Sequence, residues 1–89
     1  MPTVVFAPAI QRHVASPPQR VEAATVRAAL EVTFLEIPRL RDYVLEDQGQ
    51  LRKHVLIFID GQQLSDREKL SDAVAPNAEI YVVQALSGG

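Results

Sequence analysis

The sequence closes on Glu79-Ile80-Tyr81-Val82-Val83-Gln84-Ala85-Leu86-Ser87-Gly88-Gly89. Ile80 to Val83 are all β-branched or aromatic, side chains that pack well on a pleated surface, so Glu79–Gln84 reads as a strand. Two glycines follow a few residues later. Glycine has no Cβ, so a chain ending in Gly88-Gly89 can thread a channel too narrow for other residues. Its terminal carboxylate is open to attack once activated. The chemistry expected of such an end lies on the main chain. Chance alone gives two terminal glycines in about 0.5% of chains, and a cloning remnant gives the same ending. The weight therefore falls on the rest of the sequence.

Working back from the end, Ala75-Pro76-Asn77-Ala78 is a turn. Ser65-Asp66-Arg67-Glu68 has capping-box spacing and marks the start of a short helical turn anchored by Leu70 and Val74. Asp60-Gly61 is a hairpin turn between Val55-Leu56-Ile57-Phe58-Ile59 and Gln62-Gln63-Leu64. The run 55–59 is apolar on both faces. It suits a central strand covered on both sides, or one whose second side receives a partner. Glu46 to Gln50 is a polar loop.

Thr25 supplies an N-cap oxygen. Val26, Ala29, Leu30, Thr33, Phe34 and Ile37 then recur with helical spacing. Pro38 disfavours helical geometry at Ile37 and ends the helix there. A second helical turn is expected over residues 39–45, with Leu40, Tyr43 and Val44 inward. At the start, Thr3 to Ala7 is a strand stopped by Pro8, residues 10–16 give no clear element, Pro17-Pro18 is a turn, and residues 19–22 form the returning strand. The order strand, strand, long helix, strand, short strand, strand predicts an α+β fold of the ubiquitin-like β-grasp kind. It comprises a mixed sheet of four to five strands with one main helix on one face. The expected organisation is a domain over residues 1–84 and a flexible tail over residues 85–89 that ends in Gly-Gly.

Composition narrows the function classes. With 89 residues the chain is one domain. A net charge of −2 gives no basic stripe for nucleic acid. No apolar run approaches the ~18 residues of a membrane span. The start, Met1-Pro2-Thr3-Val4-Val5-Phe6, has no signal-peptide pattern. The expectation is a cytoplasmic protein binding neither nucleic acid nor membrane. Without cysteine there is no thiolate zinc site and no cysteine nucleophile. His13 and His54 have no second histidine at ligand spacing, the serines lack a Gly-x-Ser-x-Gly context, and the glycines do not form a phosphate loop. No metal site and no bound cofactor are expected.

Thr3-Val4-Val5-Phe6, Thr25-Val26-Arg27-Ala28-Ala29-Leu30, Gly49-Gln50-Leu51-Arg52, Val55 to Gly61 and Gly88-Gly89 occur in the order of one family. Across the whole chain the sequence resembles the MoaD/ThiS family of ubiquitin-like sulfur carriers. The connection through Ala7-Pro8-Ala9-Ile10-Gln11-Arg12-His13 is most similar to its longer members, among them a carrier that feeds a cysteine synthase. Many relatives carry prolines before the tail, where this chain has Gln84-Ala85, so its tail is expected to be less stiff. The resemblance implies a carrier and co-substrate, not an enzyme in its own right. An E1-like enzyme would use ATP to adenylate the Gly89 carboxylate. Sulfur would displace AMP to leave a thiocarboxylate, and a second enzyme would take the sulfur into a cysteine-, molybdopterin- or thiamine-type product. Five residues, 85–89, extend about 16 Å at roughly 3.3 Å each, enough to enter a buried active site.

The partner-binding expectation rests on strand alternation. If Ile57, Ile80 and Val82 face the helix, Phe58, Tyr81 and Val83 face away, and Phe6 is expected to join them. Leu86 and Ser87 continue this apolar face toward Gly88 and Gly89. Arg52-Lys53-His54 either steers an acidic partner or is a solvated loop. Two alternatives share the tail chemistry or dispense with it. One is a ubiquitin-like modifier joined through Gly89 to lysines of other proteins; the other is a β-grasp interaction subunit with a fortuitous tail.

Overall fold

Parallel pairing of the first and last strands forms the centre of the molecule. The computed structural model describes residues 1–85. Strand β1 (Thr3–Phe6) lies beside β5 (Glu79–Gln84), with Val4 opposite Ile80 and Phe6 opposite Val82. β3 (Val55–Ile59) pairs antiparallel on the other side of β5, while the two-residue strands β2 (Gln19–Arg20) and β4 (Gln62–Gln63) form the edges. The strand order is β2-β1-β5-β3-β4. One face of this mixed sheet is covered by α2 (Val26–Glu36), which buries Val26, Ala29, Leu30, Thr33 and Phe34 against Val4, Phe6, Ile57, Ile80 and Val82. The α+β, ubiquitin-like β-grasp architecture expected from the element order is the one observed.

The helix begins where its sequence says it should. Thr25 Oγ1 accepts from Ala28 N–H at 3.1 Å. The first two helical N–H groups, on Val26 and Arg27, donate to the carbonyls of Asp72 and Leu70. A helix end leaves these donors without intrahelical partners, and here a distant loop supplies them. Leu70 is buried with a φ of 56°, left-handed geometry that lets its carbonyl reach α2 while its side chain stays in the core. Beyond Ile37, α3 (Arg39–Val44) buries Leu40 and Val44.

Two local expectations need correction. Residues 65–68 do not start a capped helical turn around Ser65. Asp66 is the acceptor instead, taking the N–H groups of Glu68, Lys69 and Ser71 and the Ser71 hydroxyl. Asp72 receives the N–H groups of Ser65 and Asp66. The spacing rule placed the cap one residue early because both side chains can accept. Residues 8–11, which gave no clear element beyond a stop, form a helical turn, α1 (Pro8–Gln11), with proline in its first turn. Proline there loses no hydrogen bond, so the same residue ends β1 and starts α1.

The hairpin turn is as read, with φ of 49° at Asp60 and 85° at Gly61, the pair of positive values a type I′ turn requires. Gly49 also has positive φ, 95°, and its carbonyl accepts from the Arg27 guanidinium at 2.7 Å. Arg27 Nε donates to the Lys69 carbonyl at 2.9 Å. One α2 side chain thus ties together the loops on either side of β3 and β4.

Lys69 N–H, followed by the Ser71 hydroxyl, holds the Asp66 carboxyl at about 2, below its ordinary 3.8. A carboxyl depressed in the folded state stabilises it above the unfolded pKa, and that contribution disappears as pH falls through the folded value. Asp66→Asn is therefore expected to lower stability at neutral pH. Its deficit against the parent should shrink as pH falls from about 4 to about 2. Urea unfolding across that range checks this; a deficit independent of pH would remove the charge from the explanation.

Candidate functional site

The sheet face opposite α2 carries two apolar rows. Register places Val5 opposite Tyr81 and Tyr81 opposite Phe58, a row across β1, β5 and β3. Val83 opposite Leu56 makes the next row toward the end of β5. All five side chains are half-buried, while their strand neighbours Val4, Phe6, Ile57, Ile80 and Val82 are buried. Alternation therefore puts a second apolar surface on a sheet already covered on its other side.

Phe58, Tyr81 and Val83 lie together on this face as expected, but Phe6 does not. It is 1% exposed and belongs to the core, and Val5 takes the outward place. β1 is apolar on both faces, so its own sequence gives no parity; the β5 register decides it. Leu56 was missed, although alternation from Ile57 places it beside Phe58.

The end of β5 is fixed at its root. Ala85 N–H donates to the His54 carbonyl at 2.7 Å, extending the β3–β5 ladder one step past Gln84. The basic cluster therefore borders the point where the chain leaves the sheet. Its members differ in role. Arg52 Nε donates to the Asp42 carbonyl at 2.6 Å, and its Nη1 pairs with Glu46 Oε1 at 3.1 Å. The Arg52 carbonyl accepts from Arg67 Nη2 at 2.7 Å. Arg52 thus ties α3 and the loop after it to the start of β3, with its side chain still 40% exposed. Lys53 and His54 are exposed, and Lys53 has no ion pair among the described residues. His13, also exposed, stacks on Tyr43 with centroids 5.3 Å apart. Leu86, Ser87, Gly88 and Gly89 lie outside the described residues.

A helix-backed mixed sheet with parallel first and last strands, and a tail root at one corner of its open face, defines the class of ubiquitin-like β-grasp proteins. Solved structures place the chain among particular small proteins of that class. It is similar to SAMP1 from Haloferax volcanii at 25% identity and a TM-score of 0.83, covering 99% of this chain and 98% of that one. A chain of the BexX/CysO complex from Amycolatopsis orientalis matches with a TM-score of 0.83 at 13% identity over the full length of both chains. CysO from Mycobacterium tuberculosis matches with a TM-score of 0.81 at 15% identity, over 97% of this chain and all of that one. No protein-family model matches the sequence, and no curated protein sequence matches it. These likenesses agree with the resemblance to the MoaD/ThiS family. The chain shares the ubiquitin-like β-grasp fold of these small proteins over nearly its whole length.

The division between core and outer face predicts unequal costs. Phe6→Ala should destabilise the domain by about 3–5 kcal/mol, the usual cost of emptying a core aromatic site. Val5→Thr, at the half-buried outward position beside it, should cost less than about 1 kcal/mol. Guanidinium unfolding of both variants measures this, and equal costs would contradict the assigned parity.

Proposed function

We propose that the chain is a ubiquitin-like sulfur carrier whose reacting group is the Gly89 carboxylate. The observation that carries the reading is the corner where the open apolar face, the exposed Lys53 and the anchored Ala85 meet. A partner docked on Val5, Leu56, Phe58, Tyr81 and Val83 would receive the tail from a fixed origin. Four residues beyond Ala85 span about 13 Å at roughly 3.3 Å each.

In the proposed cycle, an E1-like partner binds ATP and the tail together. A carboxylate oxygen of Gly89 attacks the α-phosphorus and pyrophosphate leaves. The carboxylate, a poor electrophile, is now a mixed anhydride. A donor of hydrosulfide oxidation level attacks the acyl carbon; the C–S bond forms, the bond to AMP oxygen breaks and one proton is released. The thiocarboxylate sulfur then bonds to an electrophilic centre held by an acceptor enzyme, displacing its leaving group; water cleaves the resulting thioester, so the sulfur stays on the product and the Gly89 carboxylate is restored. Exclusion of water at each partner protects the anhydride and the thiocarboxylate from hydrolysis. This domain supplies the docking surface and the substrate end; catalysis belongs to the partners.

The modifier reading is favoured by one observation, the identity to SAMP1 of 25% against 13% and 15% for the two CysO matches. In that fate a lysine amine takes the place of sulfur at the same activated carbon. The chain itself contains two lysines, Lys53 and Lys69, as internal acceptors.

The test uses an E1-like enzyme from the same host. Deleting Gly89 should abolish ATP–pyrophosphate exchange while leaving the unfolding transition unchanged. Replacing Phe58 and Tyr81 together by Ser should raise KM for the carrier by about tenfold or more with kcat nearly kept, the signature of lost docking energy. Undiminished exchange by the truncated chain would sink the proposal.

A further inference from the structure

On the opposite side of the domain, α2 leaves part of its surface without cover. Among the described residues, three large apolar side chains are well exposed, and two of them, Val32 at 38% and Leu35 at 82%, are on this helix. Leu35 stands at the rim of a groove between α2 and α3 lined by Glu31, Phe34 and Arg41. Phe34 is 7% exposed, so an apolar floor lies beside an apolar knob. Glu31 and Arg41 are exposed, and the only ion pair among the described residues is Arg52 with Glu46.

The arrangement is complementary to itself. Glu31 precedes Leu35 by one helical turn. Arg41 follows it, on α3, just past the C-terminal end of α2. Two copies related by a two-fold axis near Leu35 would run their α2 helices antiparallel. Each Leu35 would enter the other copy's groove, and each Glu31 would meet Arg41 of the other copy, so the charge contact is made twice. Leaving the face bare exposes Leu35 to water; pairing it covers both knobs and neutralises both charges. We propose that this α2–α3 face is a weak homodimer interface, with a second copy of the chain as its occupant. It lies on the helix side, so the sheet face and the tail root stay open in the dimer. The proposal does not depend on the sulfur-carrier reading, and its test requires no activity. The patch is small, so the expected Kd is in about the 0.1–1 mM range.

Sedimentation equilibrium between about 0.02 and 1 mM tests it. The parent chain should associate reversibly, and Leu35→Glu should weaken association by about tenfold or more. Glu31→Arg and Arg41→Glu should each remain monomeric, because each places like charges opposite each other. An equimolar mixture of those two variants should associate again, because both contacts are then between opposite charges. All three positions contact solvent, and far-UV circular dichroism confirms that each variant is folded. A monomeric parent at about 1 mM, association unaffected by Leu35→Glu, or a mixture of folded single variants that stays monomeric would each overturn the proposal.

Discussion

The parallel contact between β1 and β5 is the constraint on which the rest of the molecule depends. It joins the two ends of the chain, and parallel strands need a long crossover, which accommodates α2 on one face. Its register sets the parity of both strands at once. With Phe6 opposite Val82, both enter the core, and Val5 and Tyr81 must point the other way. A shift of one residue in β1 would bury Val5 and expose Phe6. The same contact therefore determines both the core and the open apolar face.

What can be read from the sequence follows this division between local and long-range control. The N-cap at Thr25, the stop before Pro38 and the positive-φ turn at Asp60-Gly61 depend on a few neighbouring residues, and all three were legible. The alternation in β5 was legible because Tyr81 and Val83 lie on one face, and a helix was expected to cover the other. Parity in β1 was not, since both of its faces are apolar and a strand at the far end of the chain decides between them. The choice of Asp66 over Ser65 was also hidden. It depends on a loop folded back by Leu70, whose carbonyl is taken by the start of α2. The fold contacts of Arg52 were hidden for a similar reason: one acceptor, the Asp42 carbonyl, belongs to α3, ten residues away.

The geometry gives the proposed chemistry a physical form. A tail that must enter another protein's active site works only if its origin is fixed relative to the surface that docks. The hydrogen bond from Ala85 to His54 provides that fixed point, on the strand that also presents Tyr81 and Val83. In the proposed cycle the domain would contribute position and the terminal glycine, which has no side chain, would contribute the carboxylate.

The most direct measurement is the intact mass of the protein purified from its own host, before and after treatment with a thiol alkylating reagent. The chain has no cysteine, so a thiol-specific adduct has no side chain to form on. The account predicts a species heavier by the difference between sulfur and oxygen at Gly89, and complete capture of that species by the reagent. A protein isolated from sulfur-replete cells with active biosynthesis that shows neither the mass difference nor any alkylation, and instead appears as lysine-linked adducts, would contradict the sulfur-carrier reading and assign the tail to protein modification.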